Sequence, residues 1–290
     1  MTPIVTLTTI PSRLSYEGHA CSLKDTLLSL LNQSHSDLEV WLNVPWVMVR
    51  DDVKYVIPEW ASDLTKNDPR FKINRCDDQG SATKLLPALT LVDNPDQVII
   101  VVDDDHTYHE DMVKEHLRHR ETWPEFAIGY DGQRSRDPEH SGRANIFNDP
   151  RDHWCSSHGL NLYVDILQHY KSVSYTRGMF RRDFNDFWRE FKLWCDDTVI
   201  AAYMSKHRIP RVVPAVDSER HHKDFTHEEW QQACCSPTFP ITGNTSHERE
   251  EGCTVPRDLN ESDELKTRLY KEDIDIGYDN TELESIDDAY

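Results

Sequence analysis

The stretch Gln97-Val98-Ile99-Ile100-Val101-Val102-Asp103-Asp104-Asp105-His106 constrains the fold more than any other part of the chain. Five consecutive β-branched residues without polar alternation read as a strand buried on both faces, as central strands of parallel sheets are. The run ends in three adjacent carboxylates, which repel one another and shift one another's pKa unless a cation offsets them. The carboxyl end of such a strand is where open α/β sheets bind ligands. A buried strand that delivers three acids to that edge predicts a charged site there.

The surrounding sequence supplies the rest of an α/β sheet. Ile4 to Thr8 reads as a first strand and runs into the polar turn Thr9-Ile10-Pro11-Ser12-Arg13. Leu23, Leu27, Leu28, Leu30 and Leu31 recur at helical spacing, and Leu38 to Val44 predicts a second strand. Phe71 to Arg75 predicts a short third strand, followed by Asp77-Asp78-Gln79-Gly80-Ser81-Ala82-Thr83-Lys84. There Gly80 permits a tight turn, and Ser81 or Thr83 can cap a helix carrying Leu85, Leu86 and Leu89. Asp111 to Arg120 predicts a helix and Phe126 to Tyr130 a strand. Asp131 to His158 is polar and aperiodic, the pattern of a long binding loop. Phe184, Phe187, Trp188, Phe191 and Trp194 fall at helical intervals before Cys195-Asp196-Asp197. Thr198 to Lys206 continues as a helix, and Arg211 to Pro214 predicts a last strand. Strands alternating with helices imply βαβ units around a mainly parallel sheet.

Composition excludes several partners. A net charge of -20 argues against nucleic acid, whose phosphates need a basic face. From Ser246 to Tyr290 there are 15 acidic and 5 basic residues, a balance of -10, so half the excess lies in this tail. Its scarcity of apolar residues predicts partial disorder, or packing on the core through the stretch with Leu265, Leu269 and Tyr270. The seven cysteines are odd in number and show no CxxC spacing, which suggests reduced thiols. No run approaches the ~20 apolar residues of a membrane span, so no integral membrane segment is expected. Met1 leads into a strand-like segment without a signal-peptide pattern, and the expected location is cytoplasmic.

Four segments, taken in order, resemble nucleotide-sugar-dependent glycosyltransferases of the GT-A fold. They are Leu7-Thr8-Thr9-Ile10-Pro11-Ser12-Arg13, Gly80 to Leu89, Val101-Val102-Asp103-Asp104-Asp105-His106-Thr107-Tyr108, and Cys195-Asp196-Asp197-Thr198-Val199-Ile200-Ala201-Ala202-Tyr203. The chain is similar in particular to small soluble members from large algal DNA viruses. The resemblance covers about Pro3 to Pro214. It implies a Rossmann-like, mixed and mainly parallel central sheet flanked by helices, with residues 1–235 as the transferase domain and 236–290 as an acidic extension.

The resemblance also assigns roles. Asp103, Asp104 and Asp105 match the DxD motif, in which an early Asp faces the ribose and the last holds Mn²⁺ or Mg²⁺ against the diphosphate. Hard oxygen ligands suit those ions. Asp196 and Asp197 match the pair that opens a helix beside the acceptor and supplies the general base of inverting members, with Asp197 favoured; carboxylates in a first helical turn also suit the helix dipole without any catalysis. Thr8, Thr9 and Arg13 match the loop that holds base and ribose. Asp78 matches a residue that contacts the base or fixes that loop, and an isolated Asp before Gly is equally a turn former. Lys84 is placed to meet phosphates or to pair with Asp103 to Asp105. His221 and His222 stand where some GT-A enzymes supply a third metal ligand. Tyr170 to Arg182 sits where the family has a Gly-rich sugar loop, but Lys171, Ser172 and Ser174 replace its glycines.

The implied reaction is metal-dependent, inverting transfer from a nucleoside-diphosphate sugar, UDP by family analogy, to a glycan acceptor. A retaining transferase, or a catalytically silent module binding sugar nucleotides or glycans, are the alternatives. Removing about Asn260 to Tyr290 is expected to leave nucleotide binding intact. A thermal transition lost in the truncated protein would show instead that the tail docks on the core.

Overall fold

The computed structural model describes residues 1–15, 23–134, 144–145, 162–164, 166–191 and 196–214. Its centre is an eight-stranded sheet of β1 (Ile4–Thr8), β2 (Glu39–Pro45), β3 (Phe71–Cys76), β4 (Val98–Val101), β5 (Ala127–Gly129), β6 (Leu162–Tyr163), β7 (Val173–Thr176) and β8 (Arg211–Val213). The spatial order is β6-β8-β5-β7-β4-β1-β2-β3. β3, β2, β1 and β4 run parallel to their neighbours, as do β5 and β8. β7 is antiparallel to both β4 and β5, and β6 is antiparallel to β8. The mixed, mainly parallel sheet expected from the sequence is present.

Both faces of the sheet are covered, which explains the unbroken apolar run in β4. Ile99 and Val101 pack with Leu86, Leu89, Phe184, Trp188, Val199 and Tyr203. These come from α4 (Leu86–Leu91), α6 (Phe184–Phe191) and α7 (Asp196–Lys206). Val98, Ile100 and Val102 face the other way, against Leu23, Leu27, Leu30, Met112 and Val113. Those belong to α2 (Leu23–Leu31) and α5 (Met112–Thr122); the same layer includes α3 (Glu59–Asn67), and α1 (Pro11–Leu14) follows β1. At about 1.5–3 kcal/mol for each fully buried Val, Leu, Ile or Phe, these two layers are the main favourable term of the fold. Among the described residues, no helix is long and apolar enough to cross a membrane.

Three sequence expectations need correction. The region read as one long loop contains Gly132–Arg134 and Ala144–Asn145, which join Ile166–Leu167 in a three-stranded sheet. The segment matched to a Gly-rich loop instead supplies β7, which lies at the middle of the main sheet with Val173, Ser174 and Tyr175 buried. Its replaced glycines are consistent with this, because strand interiors disfavour Gly. Third, α3 was not anticipated, since only Ala61 in it is fully buried and its apolar pattern is sparse. The tail, and six of the seven cysteines, lie outside the described residues; the seventh, Cys76, is a free thiol that burial pushes up to about 11.

Gly132 marks a tight contact between the two sheets' connections. A Cβ there would stand 2.8 Å and 2.9 Å from the methyls of Val164 and 3.0 Å from the Ile166 carbonyl oxygen, which belongs to the backbone and cannot rotate away. Gly132→Ala is expected to destabilise by about 1–3 kcal/mol, the usual cost of overpacking, as a lowered melting temperature in calorimetry.

Candidate active site

β4 ends at Val101, and the acidic turn follows in a fixed geometry. The Asp103 amide donates to the Tyr108 hydroxyl at 2.9 Å, and the Thr26 hydroxyl donates to the Asp104 carbonyl at 3.0 Å. Within this frame the three carboxylates diverge. Asp104 is buried and is met by the Arg13 guanidinium, whose second nitrogen reaches Asp105 at 2.9 Å. Asp103 accepts from Lys84 Nζ at 2.5 Å. Asp105 also pairs with His106 Nδ1 at 2.7 Å.

The electrostatics follow from these partners. Burial raises Asp104 above the ordinary carboxylate range, with Arg13 opposing it. Burial pushes Asp105 the same way, but the His106 hydrogen bond and the Arg13 charge outweigh it and hold Asp105 at about 2. Asp103 and Asp105 keep side-chain exposures of 30% and 31%. Hard carboxylate oxygens suit a divalent cation of the Mg²⁺ or Mn²⁺ type, which here would share Asp105 with Arg13 and His106 and Asp103 with Lys84.

Lys84 reaches this turn from the other side of β1. Gly80, at φ +63°, makes the left-handed turn that the sequence signalled. Asp78 closes it, accepting from the Gly80 amide at 2.8 Å and the Val49 amide at 2.8 Å. Asp78 therefore fixes the loop through backbone amides. The Lys84 carbonyl is held by Thr6 Oγ1 at 2.7 Å, and Asn43 Nδ2 donates to Thr6 Oγ1 at 2.9 Å. Its ammonium is buried and contacts both Asp103 and Asp196, the latter at 3.1 Å. Burial works against that charge, yet Asp103, Asp196 and Asp197 outweigh it and raise its pKa well above normal. Of the two sequence readings for Lys84, the structure realises the pairing. Thr8 Oγ1 donates to the Asn43 carbonyl at 2.8 Å, and Thr9 is buried with its carbonyl accepting from the Tyr55 hydroxyl at 3.0 Å.

Asp196 and Asp197 open α7, next to this turn through Lys84. Asp196 is buried, and Asp197 retains 19% side-chain exposure. His169, which sequence reasoning missed, lies against both: its Nδ1 is 3.0 Å from Asp196 and in ion-pair contact with Asp197. These contacts are ionic and off the best hydrogen-bond direction. The donor atoms of the three residues lie within 4.8 Å of one another, a spacing that would admit a cation. Lys84 already supplies positive charge at Asp196. Burial and then Lys84 and His169 act on Asp196 in opposite senses, and the cations win, holding it far below the usual range.

Asp131, another residue not anticipated, follows β5 at the same end of the sheet. It is buried and accepts a hydrogen bond from the Tyr170 hydroxyl. The Tyr170 ring lies 5.6 Å from that of His106, so it bridges this acid to the acidic turn. A separate cleft of about 360 Å³ opens beside the loop, lined among others by Arg75, Asp77, Gln79, Leu86, Trp188 and Arg189. None of the acidic-turn residues or the Asp196-Asp197 pair lines it. His221 and His222 lie outside the described residues.

A family model described as glycosyl transferase family 2 matches residues 15–188, and the chain belongs to that family. It is a glycosyltransferase of GT-A-like fold that uses a nucleotide-sugar donor. No curated protein matches the chain. Among solved structures, the crystal structure of S. aureus TarS 1-349 is similar at 14% identity with a TM-score of 0.47, covering 90% of this chain and 77% of that one.

Burial pushes Asp131 up to about 7, against the stabilising Tyr170 hydrogen bond. A carboxyl with a raised folded-state pKa contributes stability below its unfolded value of about 3.9, and that contribution is lost as pH rises through about 7. Asp131→Asn keeps an acceptor for Tyr170 and cannot ionise. It is expected to raise the melting temperature at pH 8 relative to the unsubstituted protein, with little difference at pH 4, in paired thermal scans.

Proposed function

We propose that this glycosyltransferase is a metal-dependent, inverting enzyme that moves a sugar from a UDP-sugar to a glycan hydroxyl. The observation that carries the reading is the Lys84 ammonium, which touches Asp103 of the acidic turn and Asp196 of the α7 pair at once. The donor-side and acceptor-side carboxylates are thereby held within one side chain's reach. Residues 1–235 form the transferase domain in this reading, and 236–290 an acidic extension.

Charge supports the metal. Asp103, Asp104, Asp105, Asp196 and Asp197 supply five carboxylates, and Arg13, Lys84 and His169 three cations, a balance of -2 for these eight groups. A nucleoside diphosphate brings further negative charge, so its entry needs a compensating cation. Asp105 and Asp103 would hold Mn²⁺ or Mg²⁺, with a histidine from His221 or His222 as a further ligand. An ion held there would supply charge neutralisation for the departing diphosphate.

The chain's own residues do the rest. Thr8, Thr9 and the Asp78-fixed loop flank the carboxyl ends of β1 and β3, where base and ribose would lie. Arg13 keeps Asp104 and Asp105 charged and spaced. Asp197 takes the proton from the acceptor hydroxyl as that oxygen attacks the anomeric carbon from the face opposite the diphosphate, which inverts configuration. Its greater exposure than Asp196 is what suits it to reach a substrate. Positioned proton transfer of this kind contributes about 10²–10⁴-fold.

Calorimetric titration with UDP, GDP and CDP, each with Mn²⁺ and then EDTA, is expected to show metal-dependent binding of UDP; no binding by folded protein would sink the reading. Asp105→Asn should abolish metal-dependent turnover, and unchanged turnover and metal dependence would refute the site as drawn. Asp197→Asn should keep UDP binding and lower kcat by about 10²–10⁴-fold. Product with retained anomeric configuration would favour a retaining transferase.

A further inference from the structure

We propose that His169 is a positioning residue that holds Asp197 in the orientation needed to accept the acceptor's proton, with Tyr175 fixing His169 from behind. This rests on the transferase reading and adds to it a residue that neither the DxD motif nor the Asp196-Asp197 pair supplies.

The geometry begins in the sheet. β7 runs antiparallel to β4, with Val173 opposite Val101 and Thr176 opposite Val98. The residues preceding β7, unlike those preceding a parallel strand, therefore arrive at the carboxyl end of β4, beside the acidic turn. His169–Lys171 form a 3-10 turn there, and Ser172 at φ +76° swings the chain into the strand. The His169 side chain is fully enclosed. Its Nε2 meets the Tyr175 hydroxyl at 2.9 Å, which leaves Nδ1 in ionic contact with Asp196 and Asp197. Its backbone amide donates to the same Asp197 oxygen at 3.3 Å. Asp197 is thus gripped twice by one residue while its carboxylate keeps a face to solvent.

A neutral imidazole in this place would leave two acids under-compensated, since a buried charge without a partner is costly. Burial alone would deprotonate His169, but Asp197 and Asp196 reverse that and bring its pKa to about 9. The charged groups facing this centre are Asp196, Asp197 and Lys84, with Asp131 and Lys171 next nearest across β7. Removing the imidazole removes the side-chain contact at Asp197 and one of the two cations beside Asp196, and Asp197 loses its fixed orientation.

The test is kcat and KM of His169→Asn beside Tyr175→Phe. For His169→Asn, kcat is expected to fall about tenfold to a hundredfold, within the range of a general base's contribution, with the KM for donor unchanged. Tyr175→Phe should lower kcat with the same split by less. An unchanged kcat, or a KM for donor that rises as kcat falls, in a folded His169→Asn protein overturns the proposal; if that variant does not fold, an unchanged kcat in Tyr175→Phe does. A readout independent of turnover separates this from the transferase reading. In ¹⁵N spectra of the unsubstituted protein at pH 8, both His169 ring nitrogens should be protonated, and the Asp196→Asn, Asp197→Asn double variant should lose that signature. A neutral His169 at pH 8 overturns the proposal even if no donor is turned over, whereas a charged His169 in a protein that transfers no sugar counts against the transferase reading alone.

Discussion

The buried Lys84 ammonium is the interaction on which the site's architecture depends. It satisfies carboxylates from two elements 93 residues apart in sequence, Asp103 after β4 and Asp196 at the start of α7. Breaking a buried pair by removing one partner costs about 3–5 kcal/mol, because the remaining charge is stranded. Here one cation serves two acids, so its loss would strip Asp103 of its cation and leave Asp196 with His169 alone. The backbone is arranged to prevent this: Thr6 on β1 and Asn43 on β2 converge on the Lys84 carbonyl and fix where the side chain starts. Two polar residues buried in otherwise apolar strands have a reason to be there.

A second division of labour separates the three acids of the turn. Asp104 faces inward to Arg13 and acts as the structural member, tying β4 to the turn after β1. Asp103 and Asp105 face the mouth. The same division recurs at α7, where Asp196 is enclosed by Lys84 and His169 while Asp197 keeps access to solvent. In each cluster one carboxylate is enclosed by cations and another keeps access to solvent. Adjacent acids in sequence therefore differ in surroundings because backbone geometry sends their side chains in different directions.

Much of the fold was legible locally. The β-branched run of β4, the leucine periodicity of α2 and the Gly80 turn each rest on interactions among near neighbours, and the sequence patterns match the elements found. The Asp196-Asp197 pair was legible as a helix start. β7 and His169 were not. Val173-Ser174-Tyr175-Thr176 carries a polar residue at a fully buried position, which local pattern reading assigns to a loop; Ser174 is accommodated only because Arg120, 54 residues away, donates to its carbonyl and hydroxyl. Asp131 was hidden in a polar segment whose strand character depends on pairing with Ile166–Leu167. The pairing of Arg13 was not legible either, because its partners Asp104 and Asp105 are 91 and 92 residues distant. Spacing along the chain carries no record of which charges will meet across a sheet.

The antiparallel insertion of β7 explains why these unanticipated residues belong to the site. In a purely parallel sheet, only residues that follow each strand reach the carboxyl edge. With β7 reversed between β4 and β5, the segment that precedes it joins the segments that follow its neighbours. Tyr170 can then reach Asp131 after β5 and lie against His106 after β4, while His169 reaches the start of α7. One reversed strand brings a further cation and an aromatic side chain into the site. Without that strand the Asp196-Asp197 pair would have Lys84 alone against it, a cation it already shares with Asp103, so the reversal of β7 and the clustering of carboxylates are parts of one electrostatic solution.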